Sequence, residues 1–192
     1  MITFKTNSMK QASSISLILL TVVLFAACNN NQGNSASLQA KVDSLQNELK
    51  KYTDEQTTTQ TRLLRFDSLD FDFYSGQKWD SLAISHAPNI KVYYPDGNTT
   101  EGLFPQHIDM LKPMFMFAPD TKIKAHPVKF GNGDWTAVIG EMEGTFSAPM
   151  PIGGGKTIPP TGKNFKLSMC TIGHWKDGKM SEEYLFWITS LL

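Results

Sequence analysis

Hydrophobic positions change their spacing along this chain, and each spacing predicts a different element. An uninterrupted apolar run extends from Ile15 to Ala27 behind Lys5 and Lys10. Leu38, Val42, Leu45, Leu49 and Tyr52 then recur at intervals of four and three, which is a heptad seam. From Arg62 to Ser85 the apolar residues Leu63, Phe66, Leu69, Phe73, Trp79 and Leu82 keep near-helical spacing, with Gly76 marking a break between two pieces. Ile90 to Tyr94 reads as a short strand stopped by Pro95-Asp96-Gly97-Asn98. Phe104 to Phe117 reads as a second helix with Pro105 in its first turn and Pro113 as a kink or stop. Four β-rich runs follow: Thr121 to Phe130, Thr136 to Phe146, Phe165 to Trp175 and Ser181 to Trp187. They are separated by Gly131-Asn132-Gly133-Asp134, by the Pro- and Gly-rich stretch Pro149 to Gly162, and by Asp177-Gly178. Helices first and an antiparallel meander afterwards predict an α+β domain.

The first apolar run has the charged-then-apolar plan of an export signal and is too short to cross a bilayer comfortably. It ends Leu24-Phe25-Ala26-Ala27-Cys28, which resembles a lipobox. The expectation is a lipoprotein signal peptide over residues 1–27 and lipidation of Cys28, against an ordinary signal cut after Ala27 that leaves a plain thiol. Acyl chains contribute about 0.8 kcal/mol per buried methylene, so two or three would hold the protein on a membrane. Asn29 after the cysteine resembles the outer-membrane sorting pattern, so the expected location is the cell envelope, lipid-anchored, at the outer membrane. Residues 28–61 read as a flexible tether carrying a short heptad helix: Asn29 to Ser37 is rich in Asn, Gly and Ser, and a Thr-rich stretch, Thr53 to Thr61, ends it. Two heptads make either a solvated spacer or a self-associating stalk.

Composition narrows the partners. The 18 basic and 18 acidic residues cancel, which leaves no one-signed field to attract nucleic acid. Cys28 and Cys170 sit in such different contexts that a disulfide is not expected. Residues 62–192, about 130, are the length of one ordinary domain.

Within that stretch Trp79, Tyr94-Pro95-Asp96-Gly97, Gly102, Pro119-Asp120, Gly133-Asp134-Trp135, Gly140 to Phe146, Pro160-Thr161-Gly162-Lys163 and Asp177-Gly178-Lys179-Met180 with Glu182-Glu183 resemble SnoaL-like polyketide and ester cyclase domains. The resemblance covers Leu63 to Trp187, and the Pro-Thr-Gly-Lys and Asp-Gly-Lys pair is its specific part. It implies the nuclear-transport-factor-2-like fold: a strongly curved antiparallel sheet forming a cone over about three helices from the N-terminal half, with an apolar cavity in the mouth. It also implies chemistry without metal or cofactor, and homodimers formed through the sheet. In the cyclases a pocket histidine and an aspartate move a proton beside a carbonyl. Here the Gly-Thr-His-x-Gly pattern falls on Gly140-Glu141-Met142-Glu143-Gly144, and Met142 cannot carry that proton. The aspartate is expected soon after Pro-Thr-Gly-Lys, yet Lys156 to Lys176 contains no Asp or Glu. Relatives also continue beyond the last strand with a helical tail, whereas only Ile188 to Leu192 follow Trp187, which predicts a more open cavity or edge.

The remaining candidates for acid/base work are His107, His174 and Glu183, each of which can equally be structural. Strand alternation puts Val138, Gly140, Gly144 and Phe146 on the face of Met142, and Glu141 and Glu143 on the other. Trp79, Met110, Met114, Met142, Tyr184 and Trp187 form the expected pocket lining, or else plain core. No two histidines share an element at metal-ligand spacing, so no metal is expected. Gly155-Lys156-Thr157 echoes a phosphate loop, but Ile158-Pro159-Pro160 forbids the helix that must follow. Three classes of function stay open: a domain that binds a small apolar molecule without the family's chemistry, a cofactor-independent cyclase, isomerase or hydratase, and a structural envelope protein.

Overall fold

A computed structural model of the chain describes the backbone of residues 9–187 and the side chains of residues 33–187. Lys5, the Cys28 side chain and the short segment after Trp187 lie outside the described residues. The chain divides into two units, Met1–Thr53 and Asp54–Leu192. The first helix, α1 (Met9–Ser68), runs through residues 28–61, where the sequence predicts a leash, a heptad helix and a Thr-rich stop. Thr58 and Thr61 fit the helix because each hydroxyl donates to the carbonyl four residues back. Leu38, Leu45, Leu49 and Tyr52 of the heptad seam are each about 60 % exposed. Among the described residues no helix is long and apolar enough to cross a membrane.

The second unit begins before Arg62, because the last turns of α1 already belong to it. Thr59 is buried. Arg62 donates to Gly133 O at 2.6 Å and pairs with Asp134 at 3.0 Å. The helix then loosens into a π-helical turn, Leu69–Tyr74, and after Gly76 the chain re-forms as a 3₁₀ turn, Trp79–Ile84. Strand β1 (His86–Tyr93) starts four residues earlier than Ile90, where the apolar run begins, and Pro88 sits where its pairing register shifts. After the short strand β2 (Thr99–Glu101), a second irregular turn, Leu103–His107, leads into α2 (Ile108–Phe117). Helix α2 continues through Pro113, which neither ends it nor leaves it a standard ladder, since the ring has no N–H to give Asp109.

The long strands β3 (Lys122–Asn132) and β4 (Trp135–Thr145) precede a two-stranded hairpin, β5 (Met150–Pro151) and β6 (Thr157–Ile158). Lys156 N–H donates to Gly153 O at the hairpin tip, and Gly153, Gly154 and Gly155 all have positive φ, so the phosphate-loop echo is a turn. Strands β7 (Asn164–Lys176) and β8 (Lys179–Trp187) complete a six-stranded sheet in the order β2-β1-β8-β7-β4-β3.

One pairing departs from the predicted antiparallel sheet: β1 and β8 run parallel, with Val92 opposite Glu183 and Tyr93 opposite Tyr184. The reason is connectivity. Everything from β2 to β7 lies between these two strands in sequence, and such a long crossover lets the last strand return in the direction of the first. The sheet is therefore mixed. Register shifts in β3 and between β1 and β8 mark bulges, which bend a sheet.

The helical pieces pack on one face of the sheet. Phe66, Leu69, Leu82, Ile90, Val92, Leu103, Ile108, Val138, Trp175, Met180 and Leu185 form one buried cluster. Trp175 is its largest fully buried side chain, with Nε1 donating to Thr136 Oγ1 at 2.8 Å and its ring edge-on to Phe66. As alternation predicts, Val138 and Met142 on β4 point into the core while Glu141 and Glu143 pair with Lys166 and Lys124 on the other face.

A charged cluster pins the helical layer to the edge of the sheet. The His126 side chain is 2 % exposed, with Nδ1 2.9 Å from Asp67 Oδ1 and Nε2 2.8 Å from Asp70 Oδ2. Both carboxylates accept, so both ring nitrogens donate and the ring is a cation. Burial opposes that charge, but the two hydrogen-bonded carboxylates outweigh it and hold the His126 pKa above its usual value. Burial likewise raises Asp67, yet Lys129 and His126 pull its carboxyl below the ordinary range. In the unfolded chain the histidine titrates near 6.5. The stabilisation it provides is thus complete below about pH 6.5 and fades as pH rises through the raised folded value. His126→Gln should cost about 1–3 kcal/mol at pH 6 and flatten this fall. Urea unfolding of both proteins between about pH 6 and pH 9 checks it, and parallel profiles would refute the charged cluster.

Candidate functional site

Between the helical layer and the sheet lies a cavity of about 120 Å³. That is close to the size of an engineered apolar cavity of about 150 Å³ known to take benzene. One wall comes from α2, through Met110, Leu111 and Met114. Strands β3, β4 and β7 supply Ile123, Met142, Leu167, Met169 and Thr171, and β8 adds Leu185 and Trp187. The remaining end is polar: Asp70, His86, Tyr94, His107 and Glu183.

Four separate elements deliver that polar end. Glu183 lies on β8 between Val92 of β1 and Gly173 of β7. Strand alternation then sends Glu183, Leu185 and Trp187 inward and Glu182, Tyr184 and Phe186 outward. His86 opens β1, and its Nδ1 lies 3.0 Å from Leu82 O of the preceding 3₁₀ turn. A carbonyl can only accept, so Nδ1 carries a proton and Nε2 faces the site. His107 closes the turn before α2, with Nδ1 2.8 Å from the Tyr94 hydroxyl, which in turn meets Thr100 Oγ1 at 3.1 Å. The Nε2 atoms of His107 and His86 lie 3.4 Å and 3.7 Å from the same oxygen, Glu183 Oε2. Neither Glu183 Oε2 nor His86 Nε2 has a hydrogen-bond partner, although both are buried.

Burial and charge act against each other here. Loss of water pushes the His107 pKa down to about 4, more strongly than the Glu183 carboxylate lifts it. Burial works to raise Glu183, but His86 and His107 outweigh it and leave the carboxyl below its ordinary range. Asp70 goes the other way: burial raises it, and its hydrogen bond to His126 recovers only part of the shift. Burial also takes Tyr94 up to about 12. The cavity thus holds an ionised carboxylate, a neutral imidazole and a second, reluctant carboxyl within an apolar surround.

The sequence candidates divide between the two faces of the sheet. His107 and Glu183 converge at the polar end, and Met110, Met114, Met142 and Trp187 line the apolar part. His174 does not join them. It lies on the outer face, stacked on Trp135 at 4.2 Å and 3.3 Å from Glu182, because the register of β7 places Gly173, not His174, opposite Glu183. Tyr184 points outward by alternation and stacks on Tyr93 at 4.4 Å. Trp79 packs edge-on against Tyr74 and Phe115 behind the cavity wall.

Sequence reasoning passed over His86, Asp70 and Tyr94. His86-Ala87-Pro88-Asn89 reads as loop, since Pro88 hides the start of the strand. Asp70 carried a usable signal: with Leu63, Phe66 and Tyr74 it continues the buried helical stripe, and a lone acid on such a stripe needs a partner inside. Nor did chain spacing suggest a metal-ligand set. His86, His107 and Glu183 come from three elements, yet one donor atom from each lies within 4.8 Å of the others.

Residues 68–187 match the family model described as SnoaL-like polyketide cyclase. No curated protein matches the chain significantly. Solved structures agree on the fold. A protein assigned as a SnoaL-like polyketide cyclase from Jannaschia sp. CCS1 superposes with a TM-score of 0.57 at 20% identity, over 67% of this chain and 86% of its own. IdmH, assigned as a polyketide cyclase from Streptomyces antibioticus, gives 0.55 at 18% identity, over 66% and 91%. A protein of ketosteroid isomerase-like fold from Catenulispora acidiphila, in complex with trimethylamine, gives 0.52 at 11% identity, over 69% and 88%. With its mixed curved sheet, its helical layer and a family match across most of the compact unit, this chain belongs to the SnoaL-like polyketide cyclase family.

Proposed function

We propose that this domain binds a small, mostly apolar molecule with one polar end, and that it does so as a lipid-anchored protein of the cell envelope. The observation that supports the binding reading is the asymmetry of the cavity: methionine, leucine and tryptophan side chains on most walls, and Glu183 with two imidazoles at one end. Apolar walls supply affinity through burial, and the polar end supplies orientation. The methionines suit a ligand of irregular outline, because their unbranched side chains repack easily. Anchoring rests on the charged-then-apolar start of the chain and the Ala26-Ala27-Cys28 sequence.

A second reading, proton transfer on the bound molecule, is favoured by the convergence of Glu183, Asp70 and His107 on one end of the chamber. The group that abstracts a proton has to reach it directly or through one water, and Glu183 Oε2, buried and without a hydrogen bond, is placed to do so. In this reading the family's acid/base task is carried by residues from other strands and helices than the Met142 position.

Three outcomes test these readings. Small cyclic ketones at a hundred times their Kd should stabilise the protein by about 2.7 kcal/mol, a rise of several degrees in Tm. Met114→Trp, which fills the chamber, should abolish that rise; an equal rise in both proteins would place binding elsewhere. Cells expressing the full chain should incorporate radiolabelled palmitate into it and lose the label with Cys28→Ser, and a wild-type protein without label would refute the anchor. For the catalytic reading, deuterium exchange beside the ketone carbonyl is followed by NMR in heavy water. Glu183→Gln should slow it by about 100-fold or more, and equal rates would exclude Glu183 as the base.

A further inference from the structure

The polar end of the cavity has an unmet requirement. Glu183 Oε2 and His86 Nε2 face each other at 3.7 Å, both are buried, and neither has a hydrogen-bond partner. His86 Nδ1 donates to Leu82 O, so Nε2 is the ring nitrogen turned toward the carboxylate and the one free to bind an ion when it carries no proton. His107 Nε2 stands 3.4 Å from the same carboxylate oxygen. A buried carboxylate oxygen and an imidazole nitrogen thus face each other without hydrogen-bond partners, with a second imidazole nitrogen beside them, in an apolar enclosure where charge is poorly screened. A positive centre among the three would compensate that buried charge.

We infer that His86, His107 and Glu183 form a binding site for a divalent transition-metal ion of the zinc or iron type. Two imidazoles and one carboxylate are a donor set that such ions take, usually with further positions left for water or substrate. Two donors bound to one such ion at about 2.0–2.2 Å stand roughly 3–3.5 Å apart. The spacings of 3.4 Å and 3.7 Å, with all three donor atoms within 4.8 Å of one another, need only a small closure to reach this. The outer contacts also suit the role. Leu82 O fixes the His86 ring, and the chain Tyr94 to Thr100 fixes the His107 ring, leaving both Nε2 atoms for the ion. Imidazole donors argue against magnesium or calcium, which prefer oxygen. The open side of the ion faces the apolar chamber, where a ligand's carbonyl, hydroxyl or carboxylate oxygen would meet it. This rests on the pocket reading above and names what its polar end contains.

The full chain, purified in detergent without a polyhistidine tag and stripped with a chelator, is titrated with Zn2+ and with Co2+ by calorimetry. One ion per chain should bind with a Kd below about 10 μM and raise Tm, and Co2+ should produce the visible absorption of a nitrogen- and oxygen-ligated ion. Glu183→Gln and His86→Ala should each weaken binding by at least 100-fold, whereas His174→Ala, on the outer face, should leave it unchanged. If a variant fails to fold, the wild-type titration alone decides. No binding below about 1 mM, or binding unaffected in a folded Glu183→Gln, would overturn the site; a hydrogen-bonded His86–Glu183 pair would then fill the role assigned to the ion. Ketone binding is measured separately in excess chelator. Metal binding lost with ketone binding kept sinks this inference alone, and the opposite result sinks the pocket reading alone.

Discussion

The parallel contact between the first long strand and the last is the constraint on which the site depends. It sets Glu183 opposite Val92 and, through the shift in register, brings His86 alongside Met180. A one-residue slip would reverse every side chain of the last strand, sending Glu183 to solvent and Tyr184 into the cavity. Neighbouring contacts resist such a slip. Tyr93 stacks on Tyr184 on the outer face, and Met180 N–H donates to Ser85 O.

Given that register, the energetics of the interior follow from how each charge is compensated. His126 is enclosed by two carboxylates and gains from its charge, so it serves to tie α1 to β3. Glu183 is equally enclosed, but its imidazole neighbours stand too far away for good hydrogen bonds. A buried charge left without close partners is costly in a protein that needs only stability. The His126 cluster avoids that cost because its charges are closely paired. The two clusters meet through Asp70, which holds His126 on one side and lines the cavity on the other.

The irregular segments have a common effect. The π-helical turn at Leu69–Tyr74, the 3₁₀ turn at Trp79–Ile84 and the broken turn at Leu103–His107 each interrupt a regular ladder close to a polar group of the cavity. Departures of this kind re-aim side chains that a regular helix would direct elsewhere. Asp70 and His107 lie within such turns, and His86 follows closely on another. The regular strands, by contrast, supply most of the apolar lining.

The order of elements was legible in the sequence because periodicity records which side of each element is buried. The four late strands, the residues that share Met142's face and the α+β class followed from spacing, and the motifs carried the family and, with it, the inward placement of Met142. Two of the five residues at the polar end were legible too, since His107 and Glu183 stood out as titratable groups in apolar segments. What spacing cannot encode is adjacency between residues far apart in the chain. Whether Glu183 or Tyr184 faced inward stayed open because both faces of the last strand are apolar, and only its pairing with β1 and β7 decided it. His86 was hidden by the proline beside it, and His174 lost its place to a register that local pattern does not specify. The sequence alone determined the α+β class, the family and the chemical types available, but not the parallel pairing of β1 with β8. Tertiary structure decided which of them share one buried oxygen, because that meeting depends on long-range strand pairing.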